Sequence, residues 1–229
     1  MRLRDQAYHA FIQHLLDQRL RPGQFVTQRE LAALTGQPLG AVREMIPRLE
    51  ADGLLRTLPQ RGLQVATLDL AMMRDAFQLR ETIECAALVQ FVRTAPDSAI
   101  AVQQDLLDRV LRAARTGITP ALLADAQAVD WGLHDALVDA LGNGLIADIH
   151  RVNAVRIRLI MQDRVTLTPD RLPPAMAEHA TILAAVARRD PDAALAGLRT
   201  HLNSARDRAL AFNDHTAAAK PRALEGVNG

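Results

Sequence analysis

The sequence is poor in aromatic residues and almost free of cysteine. Only 3% of its 229 residues are aromatic, and Cys85 is its single cysteine, so no internal disulfide can form. One unpaired thiol is typical of proteins in a reducing compartment, and we expect a cytoplasmic location. No apolar run reaches about 18 residues, and the first residues lack the apolar stretch of a signal peptide, so neither a membrane span nor a leader is predicted.

Lysine is equally scarce, because Lys220 is the only one among 27 basic residues. The net charge of +1 conceals an uneven distribution: residues 1–66 carry nine Arg and six acidic residues, whereas the remainder carries 18 basic and 20 acidic residues. A basic first third suits binding to a polyanion. Hydrophobic residues make up 49% of the chain, which is enough for a packed core, and the composition favours a mainly α fold.

The first 66 residues predict a winged helix-turn-helix domain. After a first helix, Thr27 and Glu30 have the spacing of a capping box at the start of a second helix. Gly36 can adopt the positive φ of the tight turn that follows. The next helix begins at Pro38 and is ended by Gly53.

A β-hairpin with strands near 54–58 and 63–66 completes this domain as its wing. One residue conflicts with the pattern. Pro47 lies inside the third helix, where it removes a backbone hydrogen-bond donor and is expected to kink the helix.

A helix-turn-helix places its second helix in the major groove of duplex DNA. Here that helix opens with Pro38, Leu39 and Gly40, and it offers Arg43 from its first two turns. Arg29 starts the preceding helix, and Arg61 with Gly62 forms the wing tip, from which it can reach the minor groove or a phosphate. Two alternatives remain open: ordinary surface arginines, and a winged helix that binds protein.

From about residue 70 onward the pattern is helical throughout, and residues 70–212 predict a compact antiparallel bundle of about six helices. The Ala-rich tail over 213–229 is expected to be flexible. The helices are predicted near residues 70–94, 97–116, 119–141, 143–165, 173–189 and 191–213, with glycine or proline between them.

This helical part also contains a possible set of metal ligands. Asp130 and His134 are four residues apart and share one helix face, and His179 and His201 lie on two later helices. One carboxylate and three imidazoles suit a divalent ion such as Zn²⁺, Ni²⁺ or Mn²⁺. The alternative is a set of ordinary surface or core histidines, and His9, His14 and His150 are predicted to be surface residues.

The first domain contains a series of short motifs spread over about 60 residues. The motifs are Arg21-Pro22-Gly23-Gln24, Glu30-Leu31-Ala32, Val42-Arg43-Glu44, Leu49-Glu50-Ala51-Asp52-Gly53-Leu54, and Arg61-Gly62 with Val65. In order and spacing they resemble the GntR family of bacterial regulators. The resemblance implies that Arg29 and Arg43 contact DNA and that Arg61-Gly62 is the wing tip.

The sequence departs from that family at the start of the recognition helix. The family usually has a Ser-Arg or Thr-Arg pair where this chain has Pro38-Leu39, so a hydroxyl N-cap and one base-reading arginine are missing. Pro47 also replaces an alanine that is common there. We therefore do not expect the usual family operator.

The helical part contains a second series of motifs. They are Arg80-Glu81-Thr82-Ile83-Glu84, Asp130-Trp131-Gly132-Leu133-His134 with Gly142-Asn143, Glu178-His179 with Ile182 and Ala185, and His201-Leu202. Through these motifs residues 70–212 resemble the FCD-type ligand-binding domain of the FadR subfamily. The resemblance implies that Asp130, His134, His179 and His201 hold a metal beside a pocket for a small carboxylate effector.

Three arginines are candidates for binding the effector carboxylate: Arg80, Arg156 and Arg158. The alternative for Arg80 is an ordinary intrahelical ion pair with Glu84, four residues on.

The sequence therefore predicts a homodimeric, DNA-binding transcriptional repressor whose binding to its operator responds to an organic acid. An enzyme is not expected, because no metalloprotease motif, nucleophile context or phosphate-binding loop is present. Two alternatives stay open: a metal-binding protein-interaction module, and a regulator whose metal is purely structural.

Overall fold

The computed structural model describes residues 1–67, 69–162 and 167–218, and it is mainly helical. No helix in these ranges is both long and apolar enough to cross a membrane. The elements are α1 (Leu3–Leu16), β1 (Phe25–Val26), α2 (Gln28–Thr35), α3 (Leu39–Ala51), β2 (Leu55–Leu58), β3 (Gly62–Val65), α4 (Leu70–Thr94), α5 (Asp97–Ala114), α6 (Pro120–Asp139), α7 (Gly144–Gln162), α8 (Leu172–Ala187) and α9 (Pro191–Ala218).

The chain divides into two compact units, each built from two separate stretches of the sequence. The first unit comprises 1–87 and 135–163, so it includes α7 and the first part of α4. The second comprises 88–134 and the described residues from 167 onward, and it contains α5, α8 and α9. Helices α4 and α6 contribute residues to both units.

The helix-turn-helix forms as its local sequence predicts. The Thr27 side chain accepts a hydrogen bond from the Glu30 backbone N–H, and the Glu30 carboxylate accepts one from the Thr27 N–H, which confirms the capping box. Gly36 ends α2 with φ of 64°. At the end of α3, Gly53 has φ of 65° and Leu54 N–H donates to the Leu49 carbonyl, a Schellman arrangement.

Pro47 does not interrupt α3, which continues from Leu39 to Ala51. Its side chain lies on the exposed face, whereas Val42, Met45 and Leu49 are buried on the opposite face. The helix is retained because packing of that apolar face outweighs the one backbone donor that proline lacks.

The predicted hairpin is present, and a third strand joins it. Strands β2 and β3 pair antiparallel with Thr57 opposite Leu63, and β1 pairs with the other edge of β3, which gives the order β1-β3-β2. We did not predict β1, because two residues are too few to show a strand period. Leu63 and Val65 point from β3 into a core that also contains Phe11 and Leu31.

All six helices predicted after residue 70 are present as α4 to α9, with ends within a few residues of the prediction, and the described residues after 67 contain no strand. Helix α9 continues to Ala218, past the predicted end at 213. The remainder of the predicted tail, 219–229, and the predicted end of α7 at 163–165 lie outside the described residues.

Within the second unit, α8 and α9 approach each other closely at Gly197. A Cβ atom added to Gly197 would lie 3.2 Å from Cγ1 of Ile182, so the glycine allows the two helices to pack at this distance. Ile182, Leu183 and Leu198 are all nearly inaccessible to solvent around this contact. The contact fixes the two helices that carry His179 and His201.

Candidate metal centre and DNA-binding surface

Three helices of the second unit bring the four predicted metal ligands together. Asp130 and His134 come from α6, His179 from α8 and His201 from α9, and one ligand atom of each lies within 4.8 Å of the others. The three histidines are at most 3% exposed, and Asp130 is half-buried. The ring centroids of the histidines are 4.6–5.6 Å apart. Four residues separated by up to 71 positions in the chain therefore form one cluster.

The chemistry of this cluster fits a divalent metal. Zn²⁺ bound at about 2.0–2.1 Å in a tetrahedron places its ligand atoms about 3.4 Å apart, and Nε2 of His179 lies 3.3 Å from Oδ1 of Asp130. Three imidazoles and one carboxylate give a donor set that Zn²⁺ and Ni²⁺ accept readily. The other Asp130 oxygen, Oδ2, accepts a hydrogen bond from Gln127 at 3.3 Å, which orients the carboxylate.

Glu178 orients one of the histidines, and sequence reasoning had not given it this role. Its Oε2 lies 2.9 Å from Nδ1 of His201. Burial acts to raise the pKa of Glu178, but its hydrogen bond with His201, together with the charges of Arg208 and Arg171, holds that pKa below its ordinary value. An ionised carboxylate can only accept, so Nδ1 of His201 donates this hydrogen bond and Nε2 is the ring nitrogen left to bind a metal.

The predicted effector arginines belong to the first unit, where each has a partner. Arg80 is 4% exposed, and its Nε donates to Oε1 of Glu84 at 2.8 Å, so the intrahelical ion pair that the sequence left open is formed. Arg156 donates to the Asp52 carbonyl. Arg158 lies 3.4 Å from Oδ2 of Asp135. Their proposed contact with an effector stays a prediction.

The prediction that His150 is a surface residue was wrong. His150 is 4% exposed, its Nε2 lies 3.2 Å from Oε1 of Glu84, and its Nδ1 lies 3.7 Å from Oδ1 of Asp135. The partner Glu84 is 66 residues away in sequence, so no local spacing could indicate the pair. His9 is exposed as predicted, and His14 is half-buried.

The predicted DNA-contacting residues of the helix-turn-helix lie at its surface. Arg29 and Arg43 are both exposed, and Nε of Arg43 donates to Oε1 of Gln28 at 3.1 Å, which links the start of α2 to α3. Pro38 occupies the N-cap position of α3 and forms no side-chain cap. Gly40 is exposed and Leu39 is half-buried, so the first turn of α3 presents little polarity to a base edge.

The wing tip is a tight turn that exposes Arg61. The Arg61 N–H donates to the Leu58 carbonyl at 3.1 Å, and Gln60 has φ of 63° after Pro59, as in a type II turn. Gly62 has φ of 89°, and a Cβ there would lie 3.3 Å from the Val26 carbonyl oxygen. Glycine is therefore required where the wing passes β1.

Arg48 lies among acidic and aromatic side chains of its own unit. Its guanidinium is 4.0 Å from the centre of the Tyr8 ring and within ion-pair distance of Asp5 and Asp52. The Tyr8 hydroxyl donates to Oδ2 of Asp52 at 2.7 Å. Burial and this hydrogen bond raise the pKa of Tyr8 well above its ordinary value. Arg48 thus stabilises the contact between α1 and α3.

Known families match both parts of the chain. The sequence profile of the gntR family of bacterial regulatory proteins matches residues 3–65, and that of the FCD domain matches residues 75–204. The chain belongs to the GntR family. It is therefore a bacterial helix-turn-helix transcriptional regulator with an FCD domain, and its relatives are regulators and not enzymes.

This GntR-family protein is similar to named regulators. It is 28% identical over 186 residues to the HTH-type transcriptional repressor RspR of Escherichia coli, covering 80% of this chain and 78% of that one. Among solved structures it resembles E. coli McbR/YncC with a TM-score of 0.75 at 18% identity, over 94% of this chain and 99% of that chain. It also resembles the metal-free FCD domain of TM0439 with a TM-score of 0.54 at 18% identity, over 66% and 99% of the two chains. At these identities the structures establish the fold.

Proposed function

We propose that this regulator binds a divalent metal in its FCD domain and that a small organic acid bound there controls its affinity for a DNA operator. The observation that carries the proposal is the cluster of Asp130, His134, His179 and His201, whose ligand atoms converge within 4.8 Å inside the second unit. Zn²⁺ and Ni²⁺ suit the three imidazoles best, and Mn²⁺ is the third candidate. The metal would act as a Lewis acid toward the oxygen of a carboxylate.

Repression and a homodimer are part of the same proposal. The similar E. coli protein RspR is a repressor, and helix-turn-helix dimers bind near-palindromic operators because protein and DNA share a two-fold axis. An acid that binds one conformation of the FCD domain more tightly than another changes the fraction of molecules that are able to bind DNA. A cytoplasmic location follows from a DNA target.

Metal binding is tested on the purified full-length protein by elemental analysis and by a gel-shift titration with operator DNA. The His134→Ala variant should lose most of its metal. The His9→Ala variant should retain it, because His9 is an exposed histidine of the first unit. Equal metal content in the two variants would contradict the site. Metal content that falls while the response of DNA binding to acids is unchanged would show that the metal is structural.

DNA binding through the helix-turn-helix is tested by its dependence on salt. Each phosphate contact that is lost should reduce the slope of log K against log salt by about 1. We expect such a loss, or a loss of sequence specificity, for Arg43→Ala and Arg61→Ala. Arg112→Ala removes an exposed arginine from α5 of the second unit and serves as the control. Equal slopes and affinities for all three variants would contradict the proposed surface.

A further inference from the structure

Two arginines that the sequence did not single out lie beside the metal cluster in the second unit. Arg208 is on α9, seven residues after His201, so both lie on the same face of that helix two turns apart. Arg171 directly precedes α8 with helical φ and ψ, and it lies seven residues before Glu178, the residue that binds His201. Both arginines are half-buried.

Each of these guanidinium groups has one buried nitrogen that donates to no acceptor in the part of the chain that the structure describes. Nη2 of Arg171 and Nε of Arg208 are inaccessible to solvent, and neither has a hydrogen-bond partner among the described residues. A buried donor left unsatisfied costs about 1–3 kcal/mol, and more when it is charged. Arg80, Arg156 and Arg158 each donate a hydrogen bond to an oxygen of the protein through another nitrogen, to Glu84, the Asp52 carbonyl and Asp135 respectively.

The two cations are also close enough to repel each other. Burial and the charge of Arg171 lower the pKa of Arg208 from its ordinary value, and Glu178 and Asp130 oppose that change only in part. Two like charges in a partly buried place are unfavourable unless an anion joins them. Both carboxylates belong to the metal cluster or its surroundings: Asp130 is a predicted metal ligand, and Glu178 is the hydrogen-bond partner of the ligand His201.

We propose that Arg171 and Arg208 together bind a carboxylate group of the organic acid that regulates this protein. The planar guanidinium group matches a carboxylate through two parallel N–H···O bonds, and the unpartnered nitrogens supply the donors. The site takes a small acid that reaches the metal cluster with another oxygen. This inference rests on the proposed function of the metal site. It assigns the binding of the acid to arginines of the second unit, in place of the candidates in the first unit.

The test is calorimetric titration of the full-length, Zn²⁺-loaded protein with acetate, lactate, succinate and inorganic phosphate. We expect at least one carboxylate to bind more tightly than phosphate. Arg171→Gln and Arg208→Gln should each weaken that binding about ten-fold or more, the loss of one charged hydrogen-bond pair. Arg206→Gln should bind within two-fold of the wild type, because Arg206 lies on the same helix but pairs with the adjacent Asp207 at 2.9 Å.

The outcomes separate this inference from the proposed metal site. Variants that keep their metal and bind the acid like the wild type would overturn the role of the arginines while leaving the metal site intact. A wild-type protein that binds no acid, or binds phosphate more tightly, would also overturn it. If the metal-free wild type still binds the acid through both arginines, the result supports this inference and contradicts the proposal that the metal helps to bind the acid. If Arg208→Gln does not fold by circular dichroism, Arg171→Gln, at the boundary of α8, decides.

Discussion

Glu178 fixes the orientation of one metal ligand without being a ligand itself, so its replacement separates positioning from coordination. Glu178→Gln keeps the size of the side chain and an oxygen that can accept from Nδ1 of His201. It removes the negative charge that raises the basicity of the imidazole. The 2.9 Å contact between Oε2 and Nδ1 is a direct hydrogen bond, so the full effect of the charge should be felt at the ring.

The expected effect is a loss of metal affinity with little change in fold. Removing the outer partner of a metal-bound histidine typically weakens metal binding about 10–100-fold, or about 1.4–2.7 kcal/mol. With free metal at 100 times the wild-type Kd, binding stabilises the folded state by about 2.7 kcal/mol, and a ten-fold weaker variant retains about 1.4 kcal/mol of this. For a chain of this size the difference corresponds to roughly 3–5 °C in Tm.

Competition between the protein and a Zn²⁺ indicator measures the Kd directly, and thermal unfolding with and without Zn²⁺ measures the stabilisation. Asp207→Asn is the matched control, because it removes an exposed carboxylate from α9 that pairs with Arg206. A Kd for Glu178→Gln within two-fold of the wild-type value would refute the argument that Glu178 acts through His201. A loss of Tm in the metal-free protein as large as in the loaded one would assign Glu178 a structural role instead.

Three further changes test the packing and the caps by chemical denaturation. Tyr8→Phe removes a part-buried hydrogen bond to Asp52 and should lower the free energy of unfolding by about 1 kcal/mol; an unchanged value would contradict the role of that bond. Thr27→Ala should cost about 0.5–2 kcal/mol through the lost N-cap. In the wild type the Thr27 hydrogen bonds lower the pKa of Glu30. The stabilisation that ionised Glu30 gives to the capping box should therefore be complete above pH 4.5 and be lost as the pH falls through the lowered pKa. A wild-type stability that loses nothing over this acidic range would contradict the role of Glu30 in the cap. Gly197→Leu should destabilise the second unit by about 1–3 kcal/mol, because the new side chain meets the isoleucine on α8, and a neutral effect would show that α8 and α9 can separate.

Local sequence determined the secondary structure because its signals act over a few residues. The capping box of Thr27 and Glu30, the turn at Gly36 and the Schellman end at Gly53 each depend on neighbours within six positions. Where competing local signals met, packing decided. Pro47 on its own predicts a missing hydrogen bond and a kink, yet the buried face of α3 keeps the helix continuous from Leu39 to Ala51.

The cluster of four ligands was predictable in composition but not in geometry. The spacing of Asp130 and His134 shows that they share a helix face, and the resemblance to the FCD domain indicated His179 and His201 as their partners. That the four converge depends on how α6, α8 and α9 pack, which no spacing expresses. The same packing made Glu178 and Arg208 neighbours of the cluster. In the first unit, α7 and α4 bring His150 against Glu84 at a separation of 66 residues.

The sequence alone therefore determined the family, the helix-turn-helix with its exposed arginines, and the residue types of the metal cluster, because motifs and helical periods are local properties of the chain. The tertiary structure decided which arginines already have partners. Arg80 forms an ion pair with Glu84 on its own helix. Beside the metal cluster, Nη2 of Arg171 and Nε of Arg208 are buried without an acceptor in the described residues. Whether a buried charge is satisfied depends on every group within a few ångströms, and most of these groups are distant in the sequence.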